Sequence, residues 1–290
     1  MKLTELFAKD QINLSFEVFP NKKPENLESV KAKTAKIAEL KPAFMSVTYG
    51  AGGGTSQFTL EIAKNIQDNC GVPVLAHLTG VSSTKEIVAQ RIEELQTAGI
   101  QNIMALRGDL TPEMEGQDRT NWAYRYAIDL IRELKEKGDF CIGSGCYPEV
   151  HPEAANMLED IRFLKEKVDA GCDFLTSQLF FDNSIFYDYL YKVREAGIAV
   201  PVIPGIMPVT NAKQMERSIQ MSGSFIPRHF KALLERFGNN DAAMKQAGIA
   251  YATEQIIDLY ANGVKNVHVY TMNNPEVAEK IMANVKDLLG

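Results

Sequence analysis

The run Ile87–Asp109, IVAQRIEELQTAGIQNIMALRGD, holds one complete structural phrase. Ile87, Arg91, Ile92 and Leu95 return at helical spacing and predict a helix with one face turned to a core. Ala98-Gly99 closes it, because a glycine just past the last turn can take the left-handed conformation that ends a helix. Asn102–Leu106 follows as an apolar run and predicts a strand covered on both faces. Arg107-Gly108-Asp109 then places two opposite charges around a glycine at the strand's C-terminal end.

The same phrase recurs along the chain. Asp169-Ala170-Gly171-Cys172 and Glu195-Ala196-Gly197-Ile198 repeat the cadence of Thr97-Ala98-Gly99-Ile100, each closing a helix and leading into a strand. Their helices carry Met157, Ile161, Leu164 and Val168 on one face, and Ile185, Phe186, Tyr189, Leu190 and Val193 on another. Pro24 and Pro152 mark helix starts, where a first-turn proline is tolerated. Further strands are predicted at Leu14–Phe19, Phe44–Thr48, Val74–Leu78, Phe140–Ser144, Phe174–Gln178, Val200–Pro204 and Asn266–Val269, making eight. Eight strands alternating with helices predict a (β/α)8 TIM barrel, read as one catalytic domain over residues 1–290. The stretch Val209–Ala250 exceeds one βα unit and predicts extra helices between strands seven and eight. A doubly wound open sheet is the competing fold. Its dinucleotide turn fails here, because Gly50-Ala51-Gly52-Gly53-Gly54-Thr55 has threonine where the third glycine belongs.

Composition narrows the function. The net charge is −6 with no dense Lys/Arg tract, which argues against nucleic acid and basic membrane-surface binding. No run is long and apolar enough for a membrane helix, and Met1–Asp10 lacks a signal-peptide core, so a cytoplasmic protein is expected. Cys70, Cys141, Cys146 and Cys172 form no ligand-spaced pair, so reduced thiols and no metal are expected.

In such a barrel the active site lies at the C-terminal ends of the strands. Glu17 stands inside the apolar strand Leu14-Ser15-Phe16-Glu17-Val18-Phe19. Facing the barrel interior, its pKa would rise toward neutrality and suit proton donation; the other reading is an inward acid paired with a lysine or arginine. Arg107-Gly108-Asp109 fits close approach to a ligand or a simple turn. Thr48-Tyr49-Gly50-Ala51-Gly52-Gly53-Gly54 fits a ring or phosphate, or a permissive loop. Tyr147-Pro148-Glu149-Val150-His151-Pro152-Glu153 precedes a helix start suited to an anion, or by default forms a capped helix start with a structural His151. His77 ends a strand, where a lone histidine is more often structural than a ligand; Gln178 ends another, where a structural role is as plausible as contact with a polar heterocycle.

Taken in order, several segments resemble the flavin-dependent catalytic barrel of the methylenetetrahydrofolate reductase family, in its bacterial form. They include Ser15–Pro20, Ser46–Gly52, His77-Leu78-Thr79, Leu106–Asp109, Tyr147–Ala154, Gln178–Asp182, Pro204–Val209 and His268–Asn273. The resemblance implies a barrel that holds FAD without a dinucleotide-binding fold. It implies NADH or NADPH as hydride donor and 5,10-methylenetetrahydrofolate as acceptor, in a ping-pong reaction giving 5-methyltetrahydrofolate for methionine biosynthesis. Glu17 matches the family's acid, and Asp109 an aspartate near flavin and folate. Gln178 and Gln214 match folate contacts. Thr48, Tyr49, Ala51, His77, Arg107, Gly108, Asp109, Ala127, Tyr147, His151, Ala154, Asp160 and Lys167 match the flavin side.

The family also implies a homo-oligomer, and the chain leaves no tail for the regulatory domain of eukaryotic members. Asn274 stands where the family usually has an arginine that contacts the folate tail, and Ser218 where relatives can carry an aromatic. Two further readings are a related barrel fed by a partner redox protein and a non-enzymatic folate-binding barrel. Retention of Glu17 and Asp109 argues against the latter.

Overall fold

A single sheet of nine parallel strands organises the computed structural model, which describes residues 1–21, 24–49, 56–81, 83–110, 114, 117–212 and 223–289. The strands are β1 Asn13–Val18, β2 Met45–Val47, β3 Val74–Thr79, β4 Asn102–Leu106, β5 Cys141–Cys146, β6 Phe174–Ser177, β7 Val202–Ile203, β8 Gly205–Ile206 and β9 Asn266–Tyr270. Their order is β7-β6-β5-β4-β3-β2-β1-β9-β8. The predicted strand Val200–Pro204 is broken by its own proline, which has no N–H to give a ladder. Val202–Ile203 pairs with β6, and Gly205–Ile206 pairs with β9. One stave thus touches both edges of the sheet and brings them together, so the nine segments make the eight staves of a (β/α)8 barrel.

Helices α1 Leu3–Phe7, α2 Leu27–Ala38, α3 Ser56–Cys70, α4 Lys85–Thr97, α5 Ala127–Lys137, α6 Met157–Asp169 and α7 Asn183–Glu195 accompany the strands. Arg228–Phe237 and Asp241–Ala261 are the extra helices predicted before the last strand, and Pro275–Val285 follows it. Gly99, Gly171 and Gly197 have φ of 70°, 112° and 76°, the left-handed helix ends that the repeated cadence predicts.

Three expectations are corrected. Ile87 is exposed and Val88 packs inward with Ile92 and Leu95, a rotation of the α4 face by one residue. Pro152 does not begin α6; Asn156 caps it, accepting from the Glu159 amide, and helix starts at Met157. Likewise Pro24 opens a short 3-10 turn, and α2 proper begins at Leu27.

Alternation along the strands separates two interiors. Leu14, Phe16 and Val18 of β1 point outward into the main core beneath the helices. Ser15 and Glu17 have the opposite parity and face into the barrel. The barrel floor is apolar: Phe44, Leu75, Met104, Cys141, Phe174 and Ile203 pack with Leu3 and Leu6 of α1, which plugs that end. The polar chemistry is thereby confined to the layers above.

Candidate active site

Above the apolar floor, inward side chains of adjacent strands make a connected polar layer. His268 of β9 stacks on Phe44, with ring centroids 5.4 Å apart. Its Nδ1 lies 2.7 Å from Ser15 Oγ, and its Nε2 lies 2.9 Å from Ser46 Oγ. Ser15 Oγ donates to the Val267 carbonyl at 3.0 Å. Ser46 Oγ is also 3.3 Å from Glu17 Oε2. His77 Nε2 and His268 Nε2 stand 3.6 Å and 3.9 Å from the same carboxyl oxygen. The end of β1 is held by the turn after β9: Thr271 Oγ1 donates to the Glu17 carbonyl at 2.7 Å. Asn273, at a φ of 54°, accepts from the Phe19 amide and donates to its carbonyl.

Glu17 opens onto a cavity of about 400 Å³ in the barrel mouth. Its side chain keeps 20% exposure, which opens on that cavity, while protein surrounds it on every other side. Burial pushes its pKa up to about 8. The neighbouring histidines supply no compensating charge, because burial pushes both down to about 3 and leaves them neutral. Among the described residues, no lysine or arginine pairs with this acid, the alternative that the sequence left open.

Thr48, Tyr49, His77, Arg107, Gly108, Asp109, Tyr147, His151 and Gln178 line the same cavity. Gly108 is required where it stands: its φ is 90°, and a Cβ would meet Val81 at 2.6 Å and Thr79 at 3.0 Å. Gln178 Oε1 already accepts from the Leu179 amide at 2.9 Å, which leaves the amide nitrogen as the group it can offer a ligand. Asp109 is exposed at the rim.

A second cavity, about 210 Å³, runs from the mouth between α5 and α6. Arg107, Tyr147 and His151 border both, so the two form one elongated groove. Ala127, Ala154, Asp160 and Lys167 line the outer part. Lys167 is buried there, its ammonium donating to the Gly145 carbonyl at 2.5 Å, and burial lowers its pKa. Asp160 accepts from the His151 amide at 2.9 Å. Arg107 and Arg119 both hold Glu153 Oε1, at 2.6 Å and 3.0 Å. A buried ammonium on a neutral carbonyl, beside two guanidinium groups sharing one carboxylate, suits an anionic group such as a diphosphate. The residues thus fit a long cofactor with a ring in the mouth and a charged middle.

The structure brings together Glu17, Thr48, Tyr49, His77, Arg107, Gly108, Asp109, Ala127, Tyr147, His151, Ala154, Asp160, Lys167 and Gln178 around this groove. Ala51, Gln214 and Ser218 lie outside the described residues. Asn274 caps the last helix, its Oδ1 accepting from the Val277 amide at 3.4 Å. Sequence reading passed over Ser15, Ser46 and His268 as side chains with their own part in the site. The available signal was their polarity at alternating, inward positions of otherwise apolar strands.

The methylenetetrahydrofolate reductase family model matches residues 2–286. The chain is 37% identical over 271 residues to 5,10-methylenetetrahydrofolate reductase of Escherichia coli (strain K12), covering 93% of this chain and 90% of that protein. It is 35% identical over 298 residues to methylenetetrahydrofolate reductase (NADH) 1 of Arabidopsis thaliana, covering 98% of this chain and 50% of that protein. The chain therefore spans about half the length of the plant relatives it matches. Among solved structures, a Clostridium thermocellum protein that binds two copies of 5-methyl-5,6,7,8-tetrahydrofolic acid superposes with a TM-score of 0.63 at 15% identity. That match covers 99% of this chain and 98% of the other, and it is a likeness of fold. The chain belongs to the methylenetetrahydrofolate reductase family.

Proposed function

We propose that this family member reduces 5,10-methylenetetrahydrofolate to 5-methyltetrahydrofolate, with NADH or NADPH as electron donor and FAD as the bound carrier. The observation that carries the reading is Glu17, a carboxyl held neutral in the mouth of the barrel by burial. Bound FAD would supply a two-electron hydride carrier between the nucleotide and the folate, held by the residues lining the groove. The five-membered ring of the folate must open to an iminium cation before hydride reaches its methylene carbon. Opening needs a proton on the departing nitrogen, and Glu17 carries one at neutral pH. The Asp109 carboxylate at the rim offsets the positive charge that develops. Gln178 offers its amide to the pterin, and Lys167 with Arg107 holds the diphosphate. Hydride and proton together convert the methylene bridge to a methyl group, and Glu17 regains its proton from water entering the mouth.

The test is an absorption spectrum of the purified protein under anaerobic conditions. A flavin band that bleaches with NADH or NADPH, and returns on adding 5,10-methylenetetrahydrofolate, is expected. A flavin band that neither nucleotide bleaches redirects the donor to a partner redox protein. A chain that takes up no FAD overturns the reading.

A further inference from the structure

The layer beneath Glu17 has a direction. A carbonyl oxygen only accepts, so the 3.0 Å contact between Ser15 Oγ and the Val267 carbonyl uses the single Ser15 proton. The Ser15 oxygen then meets His268 Nδ1, 2.7 Å away, as an acceptor, which puts a proton on Nδ1. In a neutral imidazole the other nitrogen must accept, so Ser46 donates to His268 Nε2 at 2.9 Å. The one Ser46 proton is thereby spent. Toward Glu17 Oε2, 3.3 Å away, a free Ser46 proton would donate and lower the carboxyl's pKa; with that proton spent on His268, Ser46 offers only a lone pair.

We propose that Ser15, His268 and Ser46 are positioning residues whose fixed hydrogen-bond direction presents an acceptor to Glu17 and so holds the catalytic proton on its carboxyl. This rests on the reading of Glu17 as the acid. A second proton arrangement, imidazolium with carboxylate, satisfies the same contacts. Burial of both groups disfavours it, since it holds His268 near 3 and Glu17 near 8. Facing Glu17 are neutral His77 from β3, His268 and Tyr270 from β9, and Ser46 from β2. The Tyr270 phenol donates to the Ser177 carbonyl at 2.6 Å. Tyr49, Arg107 and Asp109 border the same cavity. The chain ends on a backbone carbonyl above the apolar floor, so it leads no proton out through the base of the barrel. Glu17 exchanges its proton only through the mouth.

The signs of three substitutions test this. His268→Phe keeps a ring against Phe44 but frees the Ser46 proton to donate to a Glu17 carboxylate. The Glu17 pKa should fall by about one unit, the size expected of a hydrogen bond to a charged group. Ser15→Ala removes the acceptor that holds the Nδ1 proton, lets the imidazole donate to Ser46, and should move the pKa the same way by less. Ser46→Ala removes the acceptor itself and should also lower the pKa, whereas a Ser46 that donated to a carboxylate would on removal let it rise. The readout is the infrared carboxylic-acid band of Glu17 in the FAD-loaded protein, identified by its loss in Glu17→Gln and titrated with pH. The alkaline limb of folate reduction should follow it.

A His268→Phe midpoint that stays or rises overturns the proposal. If that variant does not fold, nitrogen NMR of the wild-type histidines decides: an Nδ1-protonated His268 supports the direction, and an Nε2-protonated one overturns it. The infrared titration needs no turnover. Expected shifts without folate reduction would therefore remove the functional reading alone, and reduction without the shifts would remove this inference alone.

Discussion

Glu17 and Lys167 are both ionisable side chains buried along one groove, yet the fold treats their charges in opposite ways. Around Glu17 stand one serine hydroxyl, two neutral histidines and a tyrosine, so the carboxyl keeps its proton. Around Lys167 the groove carries Asp160, and farther out Arg107 and Arg119 straddle Glu153. Burial lowers the Lys167 pKa, and nearby Cys172, Cys146 and Asp160 push back against it. A group that must hand over a proton is best kept neutral and mobile in charge. A group that must hold a permanent anion is best kept charged, at a cost in desolvation that the ligand offsets.

The largest effect should come from removing the proton at the neutral end. Glu17→Gln keeps the shape and a hydrogen-bonding amide but has no acidic proton to give. Folate reduction, followed as reoxidation of the reduced flavin, should slow by about 10²–10⁴-fold, the range for loss of a general acid. Reduction of the flavin by the nucleotide needs no such acid and should change far less. Equal loss in both halves would mean that Glu17 supports the site rather than the ring opening.

At the charged end the expected effect is smaller and has two signs. Lys167→Met removes a charge-assisted contact of about 1.5–3 kcal/mol, so FAD should bind roughly 10–100-fold more weakly in a fluorescence titration. The FAD-free protein should melt at the same temperature or higher, because a buried ammonium resting on the Gly145 carbonyl costs desolvation. A variant that binds FAD normally would show that Lys167 serves the fold and not the ligand.

What the sequence revealed of these two ends was unequal. The βα cadence around Gly99, Gly171 and Gly197 was legible because helix end and strand start are local events. The broken stave at Pro204 was not, since only pairing with both β6 and β9 shows why two short pieces are needed. Helix α1 was missed because five residues carry too little periodicity, although Leu3 and Leu6 fill the floor. Glu17 stood out as a charge in an apolar strand. Ser15 and His268 did not, because their contact joins β1 to β9, 253 residues apart, and exists only after the barrel closes. Arg119 and Glu153 sit in turns with no pattern to read, and their shared contact is likewise a product of the fold.

The two ends also differ in what pH does to stability. A carboxyl whose folded pKa is raised to about 8 binds its proton more tightly folded than unfolded. Between the ordinary value of 4.5 and about 8 the unfolded chain releases that proton while the folded chain keeps it. Stability from this group is therefore full at low pH and falls as pH rises toward 8, the reverse of a salt-bridged acid. Glu17→Gln removes the titration. In FAD-free protein, the melting temperature of the variant relative to wild type should rise from pH 5 to pH 9, by roughly 5–10 degrees for a chain of this length. A constant difference across that range would mean that Glu17 is ionised in the folded protein. The neutral end would then be charged after all, and the contrast with Lys167 would collapse into one of sign alone.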